Sequence, residues 1–106
     1  MSQAQISDAL FSDIKAYLDY AWQDESLDRK YRGFIRAGMA YLDGKYGEHP
    51  DYEADGLPRT LLFEYVRYAR DGALDVFENN YTSMILAMQN DKAVARYAEN
   101  TIQTQQ

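Results

Sequence analysis

The chain has 106 residues, 46% of them apolar and 26% charged, which is enough for one globular core and too balanced for wholesale disorder. It contains no cysteine, so disulfide and thiolate chemistry are excluded and a reducing compartment is the simplest setting. A net charge of −6 argues against sequence-specific DNA binding, and without a long apolar run or a leader-like start neither a membrane span nor a signal peptide is expected.

Charge is distributed in blocks. Residues 1–28 carry −5, residues 29–45 carry +4, residues 46–55 carry −4, and the rest of the chain carries −1. A positive belt between two negative segments points to surfaces that meet partners of opposite sign.

Apolar periodicity predicts an all-α chain. The first helix is expected from about Ser7 to Trp22, with Leu10, Ile14, Tyr17, Leu18 and Ala21 at helical spacing and Asp8 and Asp13 near the positive end of its dipole. Asp24 and Ser26 offer N-caps to a second helix, from about Ser26 to Tyr46. Its stripe is Leu27, Tyr31, Phe34, Ile35, Met39, Leu42 and Tyr46, and Gly47 is its natural terminator. An acidic loop, residues 47–57, leads to Pro58 in the first turn of a third helix expected to reach about Asn79.

Gly38 and Gly72 fall on the apolar arcs of the second and third helices. Glycine there costs about 1 kcal/mol relative to alanine, so the pair predicts a close crossing of the two helices. Asn79-Asn80 marks a bend before a short fourth helix, Tyr81 to Gln89. From Asn90 the chain turns polar. Lys92 to Ile102 has a thin stripe of Val94, Ala98 and Ile102, and Thr104-Gln105-Gln106 reads as a frayed end. The expected architecture is a small bundle of three main helices, a short fourth helix and a C-terminal extension. The division is a helical domain over 1–90 and a polar helical or flexible tail over 91–106.

Chemistry has little foothold. The single histidine, His49, sits beside Glu48 and near Asp51, where a metal site or an acid–base pair would need more convergent ligands or an oriented nucleophile. A solvated surface imidazole is therefore expected. The glycines match neither dinucleotide nor phosphate-loop spacing, and the loop acids do not follow the calcium-binding pattern. No enzyme, cofactor or metal is expected.

Two faces stand out as places to bind another protein. On the third helix, Phe63, Arg67, Arg70 and Leu74 form a ladder about 180–240° from Leu61 at 100° per residue, opposite the core arc. On the second, Arg29, Arg32 and Arg36 cluster about 140–200° from Leu27, a basic face suited to an acidic neighbour. Tyr20, Tyr41, Tyr68 and Tyr97 map to helix flanks and Tyr52 to the loop, positions where aromatics favour interfaces.

A series of packing motifs spans about residues 6–90. They are Ile14-Lys15-Ala16-Tyr17-Leu18 before the acidic break Asp24-Glu25, then Phe34-Ile35-Arg36-Ala37-Gly38-Met39-Ala40-Tyr41-Leu42 and Tyr46-Gly47. After a variable loop come Leu57-Pro58, Leu61-Leu62 and Tyr65-Val66-Arg67-Tyr68. Asp75-Val76-Phe77-Glu78-Asn79-Asn80-Tyr81, Ser83-Met84-Ile85-Leu86 and Met88-Gln89 are the most individual. In these the chain resembles the head–tail connector (adaptor) proteins of long-tailed bacteriophages. The resemblance implies a small helical subunit that forms a homo-oligomeric ring of portal symmetry under the portal protein. Such a ring continues the DNA channel without sequence-specific binding and receives a tail-side connector or stopper protein. It also implies a place at the head–tail junction of a virion assembled in the bacterial cytoplasm. The residues stay open to a reading of another class, a small acidic regulator or inhibitor of antitoxin or DNA-mimic type that masks one partner. Against a DNA mimic, Arg29, Arg32, Arg36, Arg67 and Arg70 interrupt the carboxylates on both long helices.

Overall fold

Ser7 opens the first helix by accepting a hydrogen bond from the Leu10 N–H, and α1 runs Asp8–Tyr17 with Leu10, Phe11 and Ile14 buried. It ends earlier than its apolar spacing suggests, because the chain turns back at Leu18–Asp19. The Tyr20 N–H reaches the Lys15 carbonyl at 2.8 Å, and Asp19 adopts a left-handed φ of 57°. The computed structural model describes residues 6–21 and 23–104, with side chains up to residue 99. Trp22, the expected end of this helix, lies outside the described residues, as do Gln105, Gln106 and the side chain of Ile102. A branched residue at Asp19 meets its own carbonyl in that conformation, so Asp19→Val should lower stability by about 1–2 kcal/mol. Asp19→Gly should melt at or slightly above wild type. Thermal melts of the two variants check this pair.

Asp24 caps α2, Glu25–Tyr46, accepting from Ser26 N–H at 2.9 Å and Leu27 N–H at 3.2 Å, and Gly47 closes it at φ 90°. Ile35, Gly38, Met39 and Leu42 line its buried face. The loop after it is anchored rather than loose. Pro50 is buried, and Tyr52 is only 2% exposed, with its hydroxyl donating to the Asp43 carboxylate at 2.7 Å. Tyr52 thus belongs to the core and not, as expected from its loop position, to an interface.

α3 runs Leu57–Arg70 with proline in its first turn, and it lies at the middle of the bundle. It packs on α2 at Gly38. A methyl group there would lie 2.8 Å from Tyr65 Cδ1 and 2.9 Å from Leu62 Cδ1, so the expected close crossing exists at this glycine. At Gly72 it does not. α3 stops at Arg70, and Gly72 lies beyond it at φ 69° with open space around it. The Ala73 N–H turns back to the Tyr68 carbonyl at 2.8 Å, so Gly72 serves the turn and not a crossing.

After a single 3₁₀ turn, Leu74–Val76, the chain enters α4, Phe77–Thr104. This replaces the expected bend at Asn79-Asn80 and short fourth helix with one helix that runs on through residues 90 and 91. Phe77, Tyr81, Met84, Ile85 and Met88 recur on one face and pack on the core. The asparagines sit on the exposed side, where their weak helix propensity is overridden by that packing. Phe77 centres an aromatic cluster, with ring centroids 5.4 Å from Tyr65, 5.5 Å from Tyr68 and 5.0 Å from Tyr81. The 28 residues of α4 span about 42 Å at 1.5 Å per residue, longer than either short dimension of the molecule, 29 and 26 Å. Its second half therefore projects. From Asn90 to Glu99 every side chain except Lys92 is exposed.

Candidate functional site: protein-binding surfaces

The single histidine has an ordered but modest setting. His49 Nδ1 lies 2.9 Å from an Asp43 carboxylate oxygen, and its ring meets Tyr52 edge-on at 5.2 Å. Glu48 points away from it, toward Lys92 and Arg96, while the Asp51 carboxylate accepts from the Glu53 N–H. The three residues grouped by sequence thus have three different sets of partners. Among the described residues no group of three or more His, Asp or Glu side chains converges as metal ligands do.

The ladder on α3 is partly covered, with Phe63 and Arg67 half-buried and Arg70 and Leu74 exposed. α1 lies against it. Phe63 is half-buried, edge-on to Tyr17 at 5.3 Å with the Arg59 guanidinium 4.6 Å from its ring centre. Arg70 Nη1 donates to the Leu18 carbonyl at 3.0 Å, satisfying the C-terminal end of α1, and its Nε donates to Asp71. Arg67 is paired with Glu64 within its own helix. Leu74 lies beyond the end of α3 in the 3₁₀ turn, 39% exposed. A central helix buries two faces, and the sequence periodicity had been satisfied by one.

Behind that ladder lies a polar centre that the sequence did not announce. Glu64 is 7% exposed and accepts hydrogen bonds from the Tyr17 and Tyr81 hydroxyls and from Arg67. Burial opposes ionisation of the carboxyl, but these donors overcome it and hold its pKa at about 2. The Tyr81 hydroxyl is pushed up to about 12 by burial and by the neighbouring Glu64 charge. One residue thereby joins α1, α3 and α4.

The basic face of α2 divides. Arg32 is half-buried, its guanidinium 4.1 Å from the centre of the Phe11 ring and 4.0 Å from Asp8, so it serves the α1 contact. Arg29 and Arg36 are exposed, and among the described residues neither makes an ion pair. Beside them runs a smooth stripe, Gly33, Ala37, Ala40 and Gly44, the first half-exposed and the others exposed. A methyl group at Gly33 or Gly44 would touch nothing within 4 Å.

The surface that sequence reasoning missed is the outer side of α4. Leu86 is 58% exposed, Val94 60% and Tyr97 75%, and Ala87, Ala93 and Ala98 complete a broad apolar face opposite the core stripe. Splitting the helix at Asn79 and again at Asn90 hid it. Read as one helix, Leu86, Asn90, Ala93 and Tyr97 recur at i, i+4, i+7 and i+11. The projecting half is held in place from below. Gln89 Nε2 donates to the Lys45 carbonyl at 2.8 Å, Lys92 Nζ donates to the Tyr46 carbonyl at 2.6 Å, and Lys92 and Arg96 both grip Glu48. The Lys92 and Arg96 charges lower the Glu48 pKa from its ordinary value.

Comparison of the chain with protein-family models, curated proteins and solved structures finds no match.

Proposed function

We propose that this chain is a structural subunit that acts by binding, a ring-forming head–tail connector of a long-tailed bacteriophage. In this role it sits below the portal protein in a ring of portal symmetry, continues the DNA channel and receives a tail-side connector or stopper. It is made in the host cytoplasm and resides at the head–tail junction of the virion.

The observation that carries the proposal is the projecting half of α4, whose outer face is rich in exposed apolar residues among the described ones, Val94 at 60% and Tyr97 at 75%. Exposed apolar area of this kind marks a protein-binding surface. A closed ring needs two different and complementary patches on each subunit, and the segmental charge supplies contrast between surfaces. An acidic ring gives DNA little to adhere to as it passes. The motif resemblance supports the same role. The carboxylates of α1 weaken the DNA-mimic alternative, since Asp13 is paired with Arg59 at 2.8 Å and Asp8 faces Arg32.

Purified protein at high concentration, alone and mixed with portal rings, should give closed rings by negative-stain electron microscopy, with matching masses in light scattering. A chain that stays monomeric in both preparations, with no density added to the portal, overturns the proposal.

A further inference from the structure

We infer that the step between Asp55 and Gly56 is a modification site, at which the aspartate converts to isoaspartate through a cyclic imide. The site is independent of the ring reading and comes from which of three identical steps the fold leaves free.

The sequence holds three Asp-Gly steps, Asp43-Gly44, Asp55-Gly56 and Asp71-Gly72. Glycine favours ring closure at each, because it has no side chain to shield its N–H and its backbone turns freely. The first step lies inside α2, where the Gly44 N–H is spent on the helix ladder. Its carboxylate is also held, by the Tyr52 hydroxyl at 2.7 Å and His49 at 2.9 Å. At the third, the Asp71 carboxylate accepts from Arg70 Nε at 2.9 Å, with the Asp71 backbone at ψ 1°. The Gly72 N–H there donates to the Ala69 carbonyl at 3.2 Å. Asp55-Gly56 has none of these restraints. Both residues are exposed in the loop before α3. Among the described residues neither the Asp55 carboxylate nor the Gly56 N–H has a hydrogen-bond partner.

In the reaction the Gly56 amide nitrogen attacks the side-chain carboxyl carbon of Asp55. The amide proton and the carboxyl hydroxyl leave as one water molecule, and the imide closes. Water then adds to either imide carbonyl, so no oxidant or reductant is needed. Opening at the side-chain carbonyl restores aspartate, and opening at the main-chain carbonyl gives isoaspartate of unchanged mass. An open recess beside Asp55, lined by Tyr17, Gly56, Arg59, Thr60 and Phe63, admits that water. The product carries one extra methylene carbon in the main chain directly before Gly56. The Gly56 carbonyl accepts the Thr60 N–H at 3.1 Å, so the added carbon falls where α3 begins.

Trypsin places the three steps on separate peptides, 37–45, 46–59 and 71–92. The full chain, kept folded in warm neutral buffer for several weeks, should yield a second, isobaric form of peptide 46–59. Electron-transfer fragmentation should place isoaspartate at position 55. The converted fraction should exceed that of peptide 71–92 several-fold, with none in peptide 37–45. The same incubation in urea frees all three steps, which should then convert at comparable rates. Asp55→Glu, whose longer side chain closes the ring far more slowly, should leave peptide 46–59 in one form. A folded chain in which peptide 46–59 stays single, or in which another peptide converts first, overturns the inference. So does a lead of peptide 46–59 that is unchanged in urea, because local sequence and not the fold would then select it. A second form that persists in Asp55→Glu puts the reaction at Asp51 and overturns it as well.

Discussion

Glu64→Ala is expected to lower stability by about 3 kcal/mol, because it removes the shared acceptor of hydrogen bonds from three side chains, Tyr17, Arg67 and Tyr81, that tie three helices together. The loss stays at the lower end of what a broken buried ion pair costs, since the Arg67 side chain is 40% exposed and regains water. Glu64→Gln should recover part of it by keeping an acceptor for one tyrosine. The pH dependence separates charge from shape. The folded pKa of about 2 lies below the usual glutamate value near 4.3, so the unfolded chain takes up the proton first as pH falls. The charge-dependent stabilisation is therefore complete above about pH 4.3 and is lost as pH falls toward 2. Urea denaturation should show a constant gap between wild type and Glu64→Gln above pH 5 and a narrowing gap below pH 4. A gap that keeps its neutral-pH size at pH 2.5 would show that the carboxylate charge contributes nothing.

Gly38→Leu should cost about 3 kcal/mol or more, at the upper end of what overpacking costs. Even the first added carbon falls 2.8 Å from Tyr65 and 2.9 Å from Leu62, and neither side chain can retreat. Leu62 is fully buried, and the Tyr65 ring is flanked by Tyr41 at 5.7 Å and Phe77 at 5.4 Å. Gly44→Ala on the same helix is the control. It has open space and gains helix propensity, so it should stabilise by up to about 1 kcal/mol. Equal denaturation midpoints for Gly38→Leu and wild type would mean that α2 and α3 do not cross there.

How far the sequence led can be judged residue by residue. The ends of α2 were legible because Asp24 and Gly47 are local devices that need only their own neighbours. The end of α3 was not. Leu74, Val76 and Phe77 continue its apolar spacing past Gly72, and only the backbone turn at φ 69° shows the helix has stopped. Asn79-Asn80 misled in the opposite sense, because a weak local preference was read where tertiary packing at Phe77 and Tyr81 decides. The ladder on α3 is partly covered for a geometric reason. Periodicity reports that a face is apolar or polar, and it cannot report that a second helix covers the face opposite the core. Arg67 and Arg70 looked outward because arginine does so by default, yet each satisfies an acceptor that sequence spacing cannot place: Glu64 behind its own turn and the Leu18 carbonyl 52 residues away. Arg29 and Arg36, by contrast, lie on the surface as read.

α4 being a single uninterrupted helix ties the core and the outer face to one screw. The turn of residues that places Phe77, Tyr81 and Met88 inward also sets the direction in which Leu86, Val94 and Tyr97 face, with no hinge between them. The phase between the two is countable in residues. Inserting one residue between Gln89 and Lys92 would rotate everything beyond it by about 100° and advance it by about 1.5 Å, while the bundle below stayed as it was. Such an insertion carries Lys92 and Arg96 away from Glu48 and swings Val94 and Tyr97 out of line with Leu86. Within this helix, then, sequence length is itself a constraint: substitutions can change how strongly the outer face adheres, but only insertions and deletions change where it points.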